Sequence, residues 1–193
     1  MLWALENYPT VKILRRSSMR RMSLAVCCVV LMPFAVLAQT ASSPVSDAVR
    51  TVVARQTKNI LAAAQAMPAD KYNFRPTPDQ MTFGHLMLHI VGEDTLLCSK
   101  ISGMPVPTAD KVADTDPKDK IVATLQASID FCTQALAKLD DSNLGEQLPL
   151  FGGHMATRAQ AMVSLAADLE DHYSLAATEL RMSGITPPSA VKR

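Results

Sequence analysis

Residues 81–103 read MTFGHLMLHIVGEDTLLCSKISG. Phe83, Leu86, Met87, Ile90, Leu97 and Ile101 recur there at helical spacing. Thr82 is a good N-cap and Gly103 can close the far end, so the stretch predicts a helix from Thr82 to about residue 102. On a wheel of about 100° per residue the apolar stripe centres on Phe83, Ile90 and Ile101. His89 lies at the shoulder of that face, with Glu93 one turn later. His85 lies further round, three positions after the cap. A protonated imidazole there would meet the positive end of the helix dipole, so His85 reads as a surface or near-surface residue.

The same pattern recurs along the chain. Val49, Val52, Val53, Ile60, Leu61 and Ala64 predict a helix over 45–66, ended by Met67-Pro68. Ile121, Leu125, Ile129, Cys132 and Leu136 predict another over 117–139, with Pro117 in its first turn. Thr157 caps a fourth, which runs to about 183 before Gly184 and Pro187-Pro188. The connections are Pro- and Asp-rich loops: ADKYNFRPTPDQ, MPVPTADKVADTDP and DDSNLGEQLPLFGGHMA. Four amphipathic helices joined this way predict an all-α fold, a four-helix bundle. Low aromatic content, at 5%, also argues against a β-sandwich. With 193 residues, 48% of them hydrophobic, the chain is long enough for one domain with a real core.

Residues 1–38 read differently from the rest. Arg20 and Arg21 precede an apolar run over 24–37 that ends in Val36-Leu37-Ala38. This is the pattern of a secretory signal peptide cut after Ala38. The run is short for a membrane span, with an uncleaved anchor as the alternative and no stable anchor after cleavage. Translation starts at Met1, Met19 or Met22. The division expected is signal peptide 1–38, linker 39–45 and bundle 46–189. Cleavage removes five of 19 Lys and Arg and one of 18 Asp and Glu, leaving a formal charge of −3 where the full chain has +1. Nothing in this balance points to nucleic acid, and no phosphate loop or nucleophile elbow appears. The expected location is the bacterial periplasm. Two cysteines remain, Cys98 and Cys132; an oxidising compartment invites a disulfide, the alternative being two buried thiols.

The scarce histidines are the candidate chemistry, for the chain has four. Met162, Leu165, Leu169, His172, Ala176 and Leu180 form the stripe of the last helix, which puts His172 at a core position where an unpaired imidazole is costly. Asp168 lies one turn earlier and can share a metal with it, or simply hydrogen-bond to it. His89 would complete three ligands on facing helices, with positions left open for water or a small-molecule substrate. The alternative for His89 is a partly buried histidine bonded to a neighbour. Among the carboxylates Glu93, Asp94, Glu170 and Asp171, Glu93 is the most plausibly inward. His154 could reach the bundle mouth. Tyr173 is core or a pocket hydroxyl. Met81, Met87, Met155 and Met162 read as packing. Arg75 is expected to pin its loop to the bundle.

The segments AMPADKYNFRPTPDQMTFGHLMLHIVGEDTLLCSKISG and DHYSLAATELRMSGITPP resemble the DinB-like family of metal-dependent proteins. The resemblance covers roughly residues 46–189. It implies an up-down-down-up bundle with one long crossover. It also implies a divalent ion such as zinc or nickel held by one histidine of the second helix and two of the fourth. The first of these falls on His89 and the last on His172; the middle one falls on Asp168, a departure, though a carboxylate can ligate. His85 departs as well, at a position where relatives commonly carry an acidic residue. Some relatives transfer low-molecular-weight thiols and some are isomerases; those thiols are cytosolic, whereas this chain reads as exported. The resemblance therefore implies a metal-dependent hydrolase or transferase of unknown substrate, with Glu93 as candidate general base. The alternative is a non-catalytic exported module whose metal site has degenerated. Analogy with such bundles also suggests a homodimer.

Overall fold

The computed structural model describes residues 43–191. The expected signal peptide, its cleavage site and most of the linker lie outside the described residues. Four helices carry the fold: α1 Pro44–Ala66, α2 Phe83–Ser102, α3 Lys118–Ala137 and α4 Arg158–Met182. A short antiparallel hairpin, β1 Gln147–Pro149 and β2 Met155–Thr157, precedes α4.

The helix ends follow the local chemistry read from the sequence. The Thr82 hydroxyl accepts the His85 N–H, and Gly103 closes α2 in the left-handed region at φ 73°. Thr157 and Gln160 form a reciprocal capping box on α4. Pro117 is one position off the expectation. It is the N-cap of α3, with extended backbone, rather than a residue of its first turn.

The hairpin was not anticipated, because its region reads as loop. Gln147 pairs with Thr157, Leu148 with Ala156 and Pro149 with Met155. The intervening turn places Gly152 and Gly153 at φ 62° and 78°, where a side chain would be strained. This hairpin leads directly into α4, and the Arg158 N–H donates to the Glu146 carbonyl.

Helix direction can be read from contacts at the ends. The loop before α3 returns to the start of α2, since His85 meets Asp114 and a Cβ on Gly84 would lie 3.1 Å from the Asp114 carbonyl oxygen. Near the other end of both helices, Cys98 is disulfide-bonded to Cys132. Helices α2 and α3 therefore run parallel, joined by a crossover over 103–117. The Ser46 N–H near the start of α1 donates to Asp141, which precedes α4, while Lys71 just beyond α1 donates to the Ser183 carbonyl at the end of α4. So α1 and α4 are also parallel. Lys118 at the start of α3 donates to the carbonyls of Gln65 and Met67 at the end of α1, which sets the two pairs antiparallel. The result is the up-down-down-up bundle, with α2 packed chiefly on α3, α1 on α4, and a further seam between α2 and α4.

The core is the meeting of the four predicted stripes: Ile60, Phe83, Met87, Ile90, Leu97, Ile121, Leu125, Met162, Leu165 and Leu169 are all buried. Burying such side chains contributes roughly 1.5–3 kcal/mol each, which holds the seams closed. The approach to α2 is anchored by Tyr72, whose hydroxyl donates to the Ala64 carbonyl at 2.7 Å and whose ring meets Phe83 edge-on. Arg75 does not reach the bundle; it donates to the Pro78 carbonyl within its own loop. Among the described residues no helix is long and apolar enough to cross a membrane.

Candidate metal centre

The α2–α4 seam brings three of the chemistry-bearing residues together. His89 and His172 stand edge to face, with ring centroids 5.1 Å apart. Glu93 bridges them: Oε1 is 3.3 Å from His89 Nε2, and Oε2 is 3.6 Å from His172 Nε2. One ligand atom from each of His89, Glu93 and His172 lies within 4.8 Å of the others. Helix geometry explains the α2 half, because residues four apart lie one above the other on one face. His172 comes from the buried stripe of α4, as its position in that stripe requires.

Asp168 does not enter this group of three. It is half-buried one turn before His172, and near enough for its charge to act on both His172 and Asp94. Glu93 occupies the place between the imidazoles that the sequence reading assigned to Asp168.

The local electrostatics favour neutral imidazole. Burial lowers the pKa of His172; Glu93 opposes this, His89 adds to it, and Asp168 and Asp171 oppose it more weakly. A neutral imidazole is the form that ligates a metal. Beside Glu93, Asp94 is 2% exposed and its Oδ2 has no partner among the described residues. Burial, then the charges of Glu93 and Asp168, push its carboxyl up to about 8. Three carboxyl groups thus crowd one side of the seam, and Glu93 faces both imidazoles.

Two imidazole nitrogens and one carboxylate are a donor set that suits zinc and other divalent first-row ions, so the residues present fit such an ion. A cavity of about 270 Å³ opens beside them, with His89 and His172 in its wall together with Met81, Leu86, Leu175 and Glu179. Glu179 was not anticipated; it lies on α4 two turns beyond His172, is 5% exposed, and burial pushes its carboxyl up to about 7.

The remaining candidates lie elsewhere. His85 is 54% exposed on its side chain and faces Asp114, as a first-turn surface residue should. His154 is exposed in the hairpin turn. Tyr173 is buried, and its hydroxyl accepts the Ser189 N–H, which ties down the segment after α4 rather than serving a pocket. Glu170 pairs with Arg55 on the surface. Met87 and Met162 are core, whereas Met81 is exposed at the cavity and Met155 on the hairpin.

Comparison with known proteins agrees with this architecture. Solved structures with the same fold include a DinB-like protein from Bacillus subtilis, 14% identical, with a TM-score of 0.62 over 76% of this chain and 99% of that one. A DinB-like protein from Bacillus cereus is 15% identical, with a TM-score of 0.60 over 74% and 95% of the two chains. A mutant of a mycothiol-dependent maleylpyruvate isomerase is 10% identical, with a TM-score of 0.56; the match takes in 67% of this chain but spans only 60% of the isomerase. No curated protein matches the chain in sequence. The family model of the DinB superfamily matches residues 53–176, a span that runs from within α1 through both histidines of the centre. The chain belongs to the DinB superfamily.

Proposed function

We propose that the protein binds a divalent metal ion through His89, Glu93 and His172 and acts as a metal-dependent hydrolase or transferase on a small molecule. The observation that carries this reading is the convergence of two Nε2 atoms and one carboxylate from facing helices beside a cavity. A divalent ion in such a set supplies Lewis acidity, polarising a carbonyl or phosphoryl oxygen or acidifying water. Glu93, once the candidate base, is better placed as a ligand, because both its oxygens already face imidazoles. Asp168 adds negative charge behind His172, which favours a cation at the centre. Zinc and nickel are the ions expected, zinc suiting the donor set directly.

Export is part of the same proposal. It is supported by the basic start and apolar run of the first 38 residues and by the Cys98–Cys132 disulfide, a bond that persists in oxidising compartments.

A second reading has its own support. The His89–Glu93–His172 contacts, at 3.3 and 3.6 Å, pair the polar groups without an ion, as a non-catalytic module would require. Elemental analysis of untagged protein, reconstituted with zinc or nickel and dialysed, separates the two. One ion per chain, lost in His172→Ala, is the expected result. No retained ion would leave the non-catalytic module as the reading.

A further inference from the structure

The cavity beside the centre has two unlike ends. At one end stand the imidazoles of His89 and His172. At the other is Glu179, seven residues after His172 on the same helix and so about 10 Å further along it. Met81, Leu86 and Leu175 supply an apolar wall between them.

Glu179 is anomalous for a buried acid. It is 5% exposed, and among the described residues its Oε2 has no hydrogen-bond partner and no basic side chain offsets its burial. A buried carboxyl oxygen without a partner costs stability, and native proteins rarely leave one unsatisfied. Among the described residues the formal charge of the lining has one sign: Asp79 is a second carboxylate there, and no Lys or Arg joins it. Away from the metal centre, an anionic ligand would meet two carboxylates and no Lys or Arg among the described lining residues. A cation would satisfy both the orphaned oxygen and the uncompensated field.

We propose that this cavity binds a small aliphatic amine, with its ammonium against Glu179, its chain along Met81, Leu86 and Leu175, and its other end toward His89 and His172. The orientation of that other end rests on the metal-centre reading; the recognition of the ammonium does not. The volume, about 270 Å³, suits a ligand of that size rather than a peptide. It follows that the substrate class is a cationic amine bearing, at its far end, the group on which the centre acts.

The test uses metal-free protein, so that failure of the metal reading cannot masquerade as failure of this one. Binding of n-hexylamine, hexanol and hexanoate is measured by calorimetry at pH 8, where the Glu179 carboxyl is ionised. Hexylamine is expected to bind roughly tenfold tighter than hexanol, as a charge-assisted hydrogen bond provides, with hexanoate weakest. Glu179→Gln should bring hexylamine down to the level of hexanol. Leu175→Trp, which fills the cavity from a half-exposed helix position, should abolish binding of all three. Hexanol or hexanoate binding as tightly as hexylamine would overturn the proposal. So would unchanged amine binding in Glu179→Gln, or in Leu175→Trp, or no amine binding to the wild type.

Discussion

Glu93 of α2 and His172 of α4 face each other across the seam of the bundle, Oε2 to Nε2 at 3.6 Å. This contact selects between the two carboxylates that lie one helical turn from a histidine. Glu93→Gln keeps the shape and removes the charge. It should lower zinc affinity by about a hundredfold or more in competition with a chromophoric chelator. Asp168→Asn acts only through the field at His172, and a loss of about tenfold is expected, in line with outer groups of metal sites. The reverse order of the two effects would return the third ligand position to Asp168.

The buried carboxyl of Glu179 makes stability depend on pH. Its pKa is raised in the fold, so between 4.5 and about 7 the native state holds a proton that the unfolded chain has released. Its contribution to stability is complete below the lower value and is lost as pH rises through the upper one. Buried Asp94 is shifted in the same direction. Metal-free protein should therefore melt at a lower temperature at pH 8 than at pH 5. Glu179→Gln should flatten that slope and stabilise the protein at pH 8 by about 3 kcal/mol, from the size of the shift. An equal slope in the variant would remove Glu179 as its source.

Two glycines of α2 make opposite predictions. Gly92 has open space where a Cβ would go, so Gly92→Ala should stabilise by roughly 1 kcal/mol through helix propensity. At Gly84 a Cβ would lie 3.1 Å from the Asp114 carbonyl oxygen and 3.4 Å from Tyr72. Gly84→Ala should destabilise by about 1 kcal/mol, because crowding against backbone outweighs the propensity gain. Urea melts of both variants read the difference in sign directly.

Reduction of the Cys98–Cys132 bond should cost about 2–4 kcal/mol, the usual range for a bridge of this loop size. Non-reducing mass spectrometry of the intact protein should find the pair two protons lighter than the dithiol. Two free thiols would contradict the bond.

The bundle was legible because each helix carries its own stripe and its own punctuation. Thr82 and Gly103 bracket α2, and Thr157 and Gly184 bracket α4, through chemistry confined to a few residues. His172 was legible too, since an imidazole amid Leu165, Leu169 and Leu180 needs a partner. The choice between Glu93 and Asp168 was not. Each sits four residues from a histidine, and spacing along one helix cannot say which faces meet across a seam; the glutamate is also longer by one methylene. Glu179 was hidden for a related reason. A carboxylate beside Leu180 reads as solvated until tertiary packing closes over it. The hairpin escaped because three-residue strands carry too little alternation to register, and their pairing depends on two glycines whose conformation is set by the turn.

The parallel course of α2 and α3 gives the crossover between them an unusual fate under proteolysis. Residues 103–117 are largely exposed and rich in Pro and Asp, the kind of tether that proteases nick first. A cut there severs the chain between the helix that carries His89 and Glu93 and the helix that carries His172. Because Cys98 and Cys132 lie on opposite sides of the cut, the two fragments remain one covalent species until reductant is added. Nicked protein should migrate as a single band without reductant and as two with it, and the centre should outlast the break in the chain that encloses it.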